Sequence, residues 1–160
     1  MNLYARLLHL FTFGRRRPEI SIWDVARTPF RVLPNDLDIN MHMNNGRYLT
    51  LLDIARIDMM VRSGAWKKAM DAGWYGVVAS QDIKYLTSLK PFQKFEVHTR
   101  MIGHDGKNML VEQKFMVGEK TYAIATVKTR WLYRKGGSVP ISEMPQVVGE
   151  FPEHFGLISA

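Results

Sequence analysis

The sequence predicts an α+β fold in which a curled antiparallel sheet wraps around one long central helix. Three observations lead there. One helical segment is apolar almost all round, the apolar period changes to two from Trp74 onward, and tight glycine-containing turns separate the alternating runs. A sheet must cover its apolar face, and this chain has one helix suited to covering it. With 160 residues, 46% of them hydrophobic and 23% charged, the chain fits one globular domain that buries about two-thirds of its unfolded surface.

Residues 1–17 form a segment of their own. Leu3 to Phe13 is largely apolar, with Arg6, His9 and Thr12 recurring every three residues before Gly14 and Arg15-Arg16-Arg17. Eleven residues are too few to span a bilayer as a helix, which takes about 20. A signal peptide carries its charge before the apolar run, and here the order is reversed. The expectation is a short amphipathic helix that packs on the body, with weak peripheral contact at a membrane surface left open. Residues 18–160 are expected to form the single domain and a C-terminal extension.

From Thr28 to Leu33 a β-favouring run contains Pro29 and is ended by Pro34. Asn35 to Asn45 reads as a loop, and Asn44 or Asn45 can cap the helix that follows. That helix runs to about Arg62, interrupted by Thr50, Asp53, Arg56, Asp58 and Arg62. Gly64 breaks it, and Ala65 to Ala72 is a second, shorter helix ended by Gly73. Val77, Ala79, Gln81 and Ile83 then alternate with Val78, Ser80, Asp82 and Lys84, as Phe95, Val97, Thr99 and Met101 do with Glu96, His98, Arg100 and Ile102. Turns at His104–Asn108 and Gly118–Lys120 join Met109–Val117 to Thr121–Tyr133 as an antiparallel meander. Ala123 and Ala125 are small enough to let helix and sheet approach closely.

The formal charge is +7. A basic surface suits nucleic acid, anionic lipid or a phosphate-bearing small molecule. Apart from Arg15-Arg16-Arg17 the basic residues are spread over strands and turns, so nucleic acid is not an expected partner. The absence of cysteine excludes a disulfide scaffold, a Cys nucleophile and Cys-ligated metal. It suits a reducing compartment, and a cytoplasmic chain is the expectation. There is no Gly-rich phosphate loop, no paired-His metal spacing and no Gly-x-Ser-x-Gly setting around Ser80, so no metal or cofactor is implied.

The densest polar cluster is Asp36-Leu37-Asp38-Ile39-Asn40-Met41-His42-Met43-Asn44-Asn45, followed by Gly46-Arg47-Tyr48. Each member has an ordinary explanation: Asp36 and Asn44 as turn and cap residues, Asp38 as a partner of nearby backbone amides, His42 as a structural imidazole. Together they point to acyl chemistry. First-turn amides of a helix are unpaired and favour negative charge, which suits a developing oxyanion. Asp38 can attack a carbonyl or activate water, and His42 can move a proton. His98, His104 and His154 stand alone.

The pattern Asp36-x-Asp38-x-x-x-His42-x-Asn44-Asn45-x-x-Tyr48 resembles the first-strand-to-helix signature of hotdog proteins of the 4-hydroxybenzoyl-CoA thioesterase type. The longer string from Asp36 to Asn45 is similar to the catalytic stretch of plant fatty acyl-ACP thioesterases. The resemblance implies a hotdog fold over residues 24–134. It implies Asp38, Asn40 and His42 as catalytic residues, and it implies a homodimer or homotetramer. Met41 stands where many relatives carry Gly, which implies a narrower or differently built oxyanion pocket. Glu96 and Glu112 are candidates for a partner carboxylate from the sheet.

The function expected is a thioesterase that converts an acyl-CoA, or an acyl-ACP, to an acid and a free thiol. Asn45 and Gly46 are expected to hold the oxyanion, and Tyr48 and Leu52 to line the acyl chain. Two alternatives stand beside it. One is a non-catalytic acyl-binding module; the other is an enoyl-CoA hydratase, whose Asp-x-Asn-Pro-x-His signature is one residue longer than Asp38-x-Asn40-x-His42.

Overall fold

The computed structural model describes residues 3–159, without the side chain of Arg15. Residues 1 and 2 of the N-terminal segment, the last residue of the domain, and the Arg15 side chain of the basic run lie outside the described residues. Helices α1 (Leu3–Phe13), α2 (Asn45–Arg62), α3 (Ala65–Asp71) and α4 (Pro145–Val148) accompany strands β1 (Ala26–Arg31), β2 (Trp74–Tyr85), β3 (Lys94–His104), β4 (Met109–Val117), β5 (Lys120–Tyr133) and β6 (Gly156–Leu157). The sheet order is β1-β3-β4-β5-β2, and the short β6 pairs in parallel with β3. This is the curled sheet around a central helix that the sequence predicts.

Strand β1 begins two residues earlier than the β-favouring run, because its pairing with β3 extends from Ala26 opposite Thr99 to Arg31 opposite Lys94. Pro29 is accommodated because β1 is an outer strand, where a missing N–H costs no ladder bond. On β3 and β4 the inner residues Phe95, Val97, Val111 and Phe115 are buried against the helix layer. Phe115 sits between the rings of Phe95 and Tyr48, at centroid distances of 5.8 and 4.8 Å. Ala123 and Ala125 share that cluster with Leu51, Leu52 and Ala55 of α2, which is the close approach their size permits.

The second half of the core joins Met59 and Met60 of α2 and Ala65 and Ala69 of α3 to Trp74, Met101, Met109 and the C-terminal residues Val139, Met144, Val147 and Phe155. The C-terminal extension therefore completes the core. Its last strand can dock because Gly103 has no side chain: a Cβ there would lie 2.7 Å from the Gly156 carbonyl oxygen.

Helix α1 packs on the outer face of α2, with Leu3, Leu7 and Leu10 turned inward. Arg6 does not belong to a solvent-facing polar stripe with His9 and Thr12, as its spacing suggested. Positions three apart drift by about 60° on a helix of 3.6 residues per turn, and Arg6 falls at the buried edge. Tyr4, Leu8 and Phe11 occupy the other flank and are exposed. Among the described residues no helix is long and apolar enough to cross a membrane.

Candidate active site

The loop before α2 is a small hairpin. Leu37 bridges Met43, the Asp38 N–H donates to the His42 carbonyl at 2.9 Å, and the Met41 N–H donates to the Asp38 carbonyl at 3.1 Å. Ile39, Asn40 and Met41 make the three-residue tip. Such tips place their last residue in the left-handed region, and Met41 has φ 59°. The geometry there favours a residue without a Cβ penalty, which Met41 does not supply.

Asp38 is half-buried. Its Oδ1 accepts the Asn40 N–H at 2.9 Å and the His42 N–H at 3.3 Å, so one carboxylate oxygen staples the tip while Oδ2 has no hydrogen-bond partner among the described residues. The side chains of Asn40 and His42 are exposed and have no hydrogen-bond partner among the described residues. The trio expected from the sequence is thus gathered on one hairpin.

Asn44 is the cap, its Oδ1 accepting the Gly46 N–H at 2.8 Å. That bond corrects one expectation, because the Gly46 amide is already claimed by its own cap. The Arg47 N–H is taken by the Asn44 carbonyl at 2.9 Å. The Asn45 N–H is the first-turn amide with no partner among the described residues. Tyr85 on β2 donates its hydroxyl to the Asn45 carbonyl at 3.3 Å, tying the helix start to the outer strand.

Tyr48 does not line an acyl channel. Its ring is buried between Phe115 and Tyr85, and burial pushes its phenol above the ordinary value. Leu52 is fully buried as well. Open apolar space lies farther along α2, in a cavity of about 390 Å³ bounded by Ile57 and Met60 of α2, Trp66 and Met70 of α3, and the start of β2. Asp53 is the one carboxylate among the described residues of its lining. It pairs with Arg56, whose Nη1 donates to Gln113 Oε1 at 2.7 Å. Gln113 is fully buried and donates in turn to the Leu52 carbonyl and to Thr99 Oγ1, both at 3.0 Å. Burial lowers the Arg56 pKa, opposed by Asp53. In the sequence Asp53 and Arg56 stand only among the polar interruptions of an otherwise apolar helix, and nothing there marks Gln113 as their partner.

Glu96 and Glu112 do not serve the hairpin. Both lie on the outer face of the sheet, where Glu96 pairs with His98 at 2.7 Å and Glu112 with Arg100 at 2.8 Å. Among the described residues no cluster of three or more His, Asp or Glu could hold a metal ion.

Residues 32–151 match the family model of the thioesterase-like superfamily. The chain belongs to that superfamily. Within it, the chain is similar to protein THEM6 of Xenopus laevis, 38% identical over 99 residues, or 62% of this chain and 48% of that protein. The chain thus spans about half the length of that relative. Among solved structures it is similar to the probable thioesterase YbaW of Escherichia coli, with a TM-score of 0.73 at 20% identity over 78% of this chain and 96% of that one. A Staphylococcus aureus protein solved in complex with CoA gives a TM-score of 0.64 at 15% identity over 85% and 94%. The hotdog fold is common to these structures and to this chain.

Proposed function

We propose that this chain is a thioester hydrolase acting on an acyl-CoA, or on the same acyl group carried by acyl carrier protein. The observation that carries the reading is a half-buried Asp38 with Oδ2 unengaged, on the hairpin that leads into the unclaimed Asn45 N–H of α2. Asp38 Oδ2 takes a proton from water as the water oxygen attacks the acyl carbon. The carbonyl oxygen becomes an oxyanion held by the Asn45 N–H. Collapse breaks the C–S bond, and the thiolate leaves and takes up a proton. Direct attack by Asp38, with hydrolysis of the resulting anhydride, is the nucleophilic variant. Asn40 and His42 orient water and substrate from the same hairpin.

The apolar cavity beside α2 suits the acyl group, and the formal charge of +7 suits the phosphates of CoA. The CoA complex of the Staphylococcus aureus neighbour supports the same carrier. The working unit is a homodimer or homotetramer. Among the described residues strand β2 pairs on one side alone, with β5, and its Tyr75, Val77 and Val78 are exposed beside the open cavity. An unpaired edge of this length needs covering, and a second copy of β2 would close the cavity's open side. The exposed flank of α1 and the exposed Arg16 support weak peripheral contact of a cytoplasmic chain with anionic lipid.

One observation favours a second reading, a non-catalytic acyl-binding module: Asp38 Oδ1 already serves the loop. A panel of aromatic and aliphatic acyl-CoA esters, followed by free-thiol release, decides between them. Release from at least one ester supports the hydrolase; binding of the esters without release supports the module.

A further inference from the structure

The Asp36 carboxylate is nearly inaccessible, yet it belongs to the hairpin that carries Asp38. Its Oδ2 accepts the Leu33 N–H at 2.8 Å, and its own carbonyl accepts the Asn44 N–H at 2.7 Å. Asp36 therefore ties both feet of the hairpin together. Its counter-charge comes from thirty residues away, for Arg6 of α1 reaches in and pairs Nη2 with Asp36 Oδ2. Arg6 is itself 8% exposed. Arg47 is the other cation near Asp36, with Nε 3.8 Å from Oδ1, and it is far more exposed.

The same segment is fastened a second time. Arg17 pairs with the buried Asp58 at 2.8 Å, at the far end of α2. There the carboxylate has other partners, the Thr28 hydroxyl at 2.6 Å and Arg62 at 3.4 Å. The two arginines hold the N-terminal segment along α2, but the pairing at the hairpin is the one with little else to replace it.

We propose that Arg6 is a positioning residue for the hydrolytic site: by neutralising Asp36 it fixes the hairpin and so the place of Asp38 relative to the Asn45 N–H. The role in catalysis rests on the thioesterase reading; the role in ordering the hairpin does not. Without the guanidinium, a buried carboxylate loses its main partner and the hairpin must open to hydrate it. Misplacing a catalytic group by about an ångström is enough to slow a reaction.

The test compares Arg6→Met, Arg6→Lys and Arg17→Met in the full chain, by hydrogen exchange at residues 33–44 and by steady-state hydrolysis of whichever acyl-CoA the wild type cleaves. Arg6→Met is expected to speed exchange at the Leu33 and Asn44 amides by about tenfold or more. It is expected to lower kcat by about tenfold or more with little change in KM. Arg6→Lys, which keeps the charge, should recover part of both. Arg17→Met should leave hairpin exchange and kcat within about twofold of wild type even though it loosens α1. Equal hairpin exchange in Arg6→Met and Arg17→Met would overturn the proposal. Should Arg6→Met unfold, Arg6→Gln, which removes the charge and keeps a hydrogen-bond donor, takes its place, and a hairpin no more mobile in it than in Arg17→Met overturns the proposal. If the wild type cleaves no thioester, the hydrolase reading fails while the exchange comparison still judges the ordering role.

Discussion

Replacing Met41 by glycine is expected to stabilise the protein, an unusual direction for removing a whole side chain. Met41 closes the hairpin tip with φ 59°, where a residue with a Cβ pays about 1–2 kcal/mol. Its side chain is 59% exposed, so little packing is lost. Against the relief stands the greater freedom that glycine gives the unfolded chain, about 0.4–1 kcal/mol. The difference favours glycine by about 0.5–1 kcal/mol, a rise in Tm of about 1–4 °C for a chain of this size. Ile39 supplies the control. It is 98% exposed on the same tip, and it is not among the non-glycine residues with positive φ. Ile39→Gly should therefore lower stability by about 0.4–1 kcal/mol. Thermal unfolding and urea titration of both variants measure the contrast. If Met41→Gly destabilises as much as Ile39→Gly, the left-handed tip is wrong, and with it the reason given for the Asp38 geometry.

Two further outcomes concern surfaces. Light scattering should give a dimer or tetramer, and lysines at both Val77 and Val78 on β2 should shift it toward monomer; a wild-type monomer at micromolar concentration contradicts the paired edge. Anionic vesicles should retain the wild-type chain weakly and neutral vesicles should not, and Tyr4→Glu with Leu8→Glu should abolish retention. Equal recovery of wild type and variant would leave α1 with its packing role alone.

The parts of the fold written in local periodicity were legible. The all-round apolar character of residues 48–61 marked α2, and one-sided burial marked β3 to β5, because burial is a local property of the pattern; β2 alternates in sequence although it is largely exposed past Trp74. Pairings between distant residues were not. Asp36 read as a turn residue, and nothing nearby in sequence announces that Arg6 neutralises it from thirty positions away. Gln113 is a polar residue on the buried face of β4, and its side-chain amide is satisfied by residues distant in sequence, Arg56, Thr99 and the Leu52 carbonyl. The C-terminal segment lacks any strong period, since its Val147, Val148 and Phe155 insert singly into gaps of the core. In the candidate site, the hairpin residues were legible by composition. The cavity was not, because it is formed by α2, α3 and β2 meeting in space.

The most direct measurement of the central claim is thiol release by Asp38→Asn, using the acyl-CoA ester that the wild type cleaves best. Asparagine keeps an oxygen to accept the Asn40 and His42 amides, so the hairpin and the thermal stability should persist. It cannot take the proton from water, and hydrolysis should fall by at least about a hundredfold. A folded Asp38→Asn variant that hydrolyses the ester at close to the wild-type rate would contradict the account.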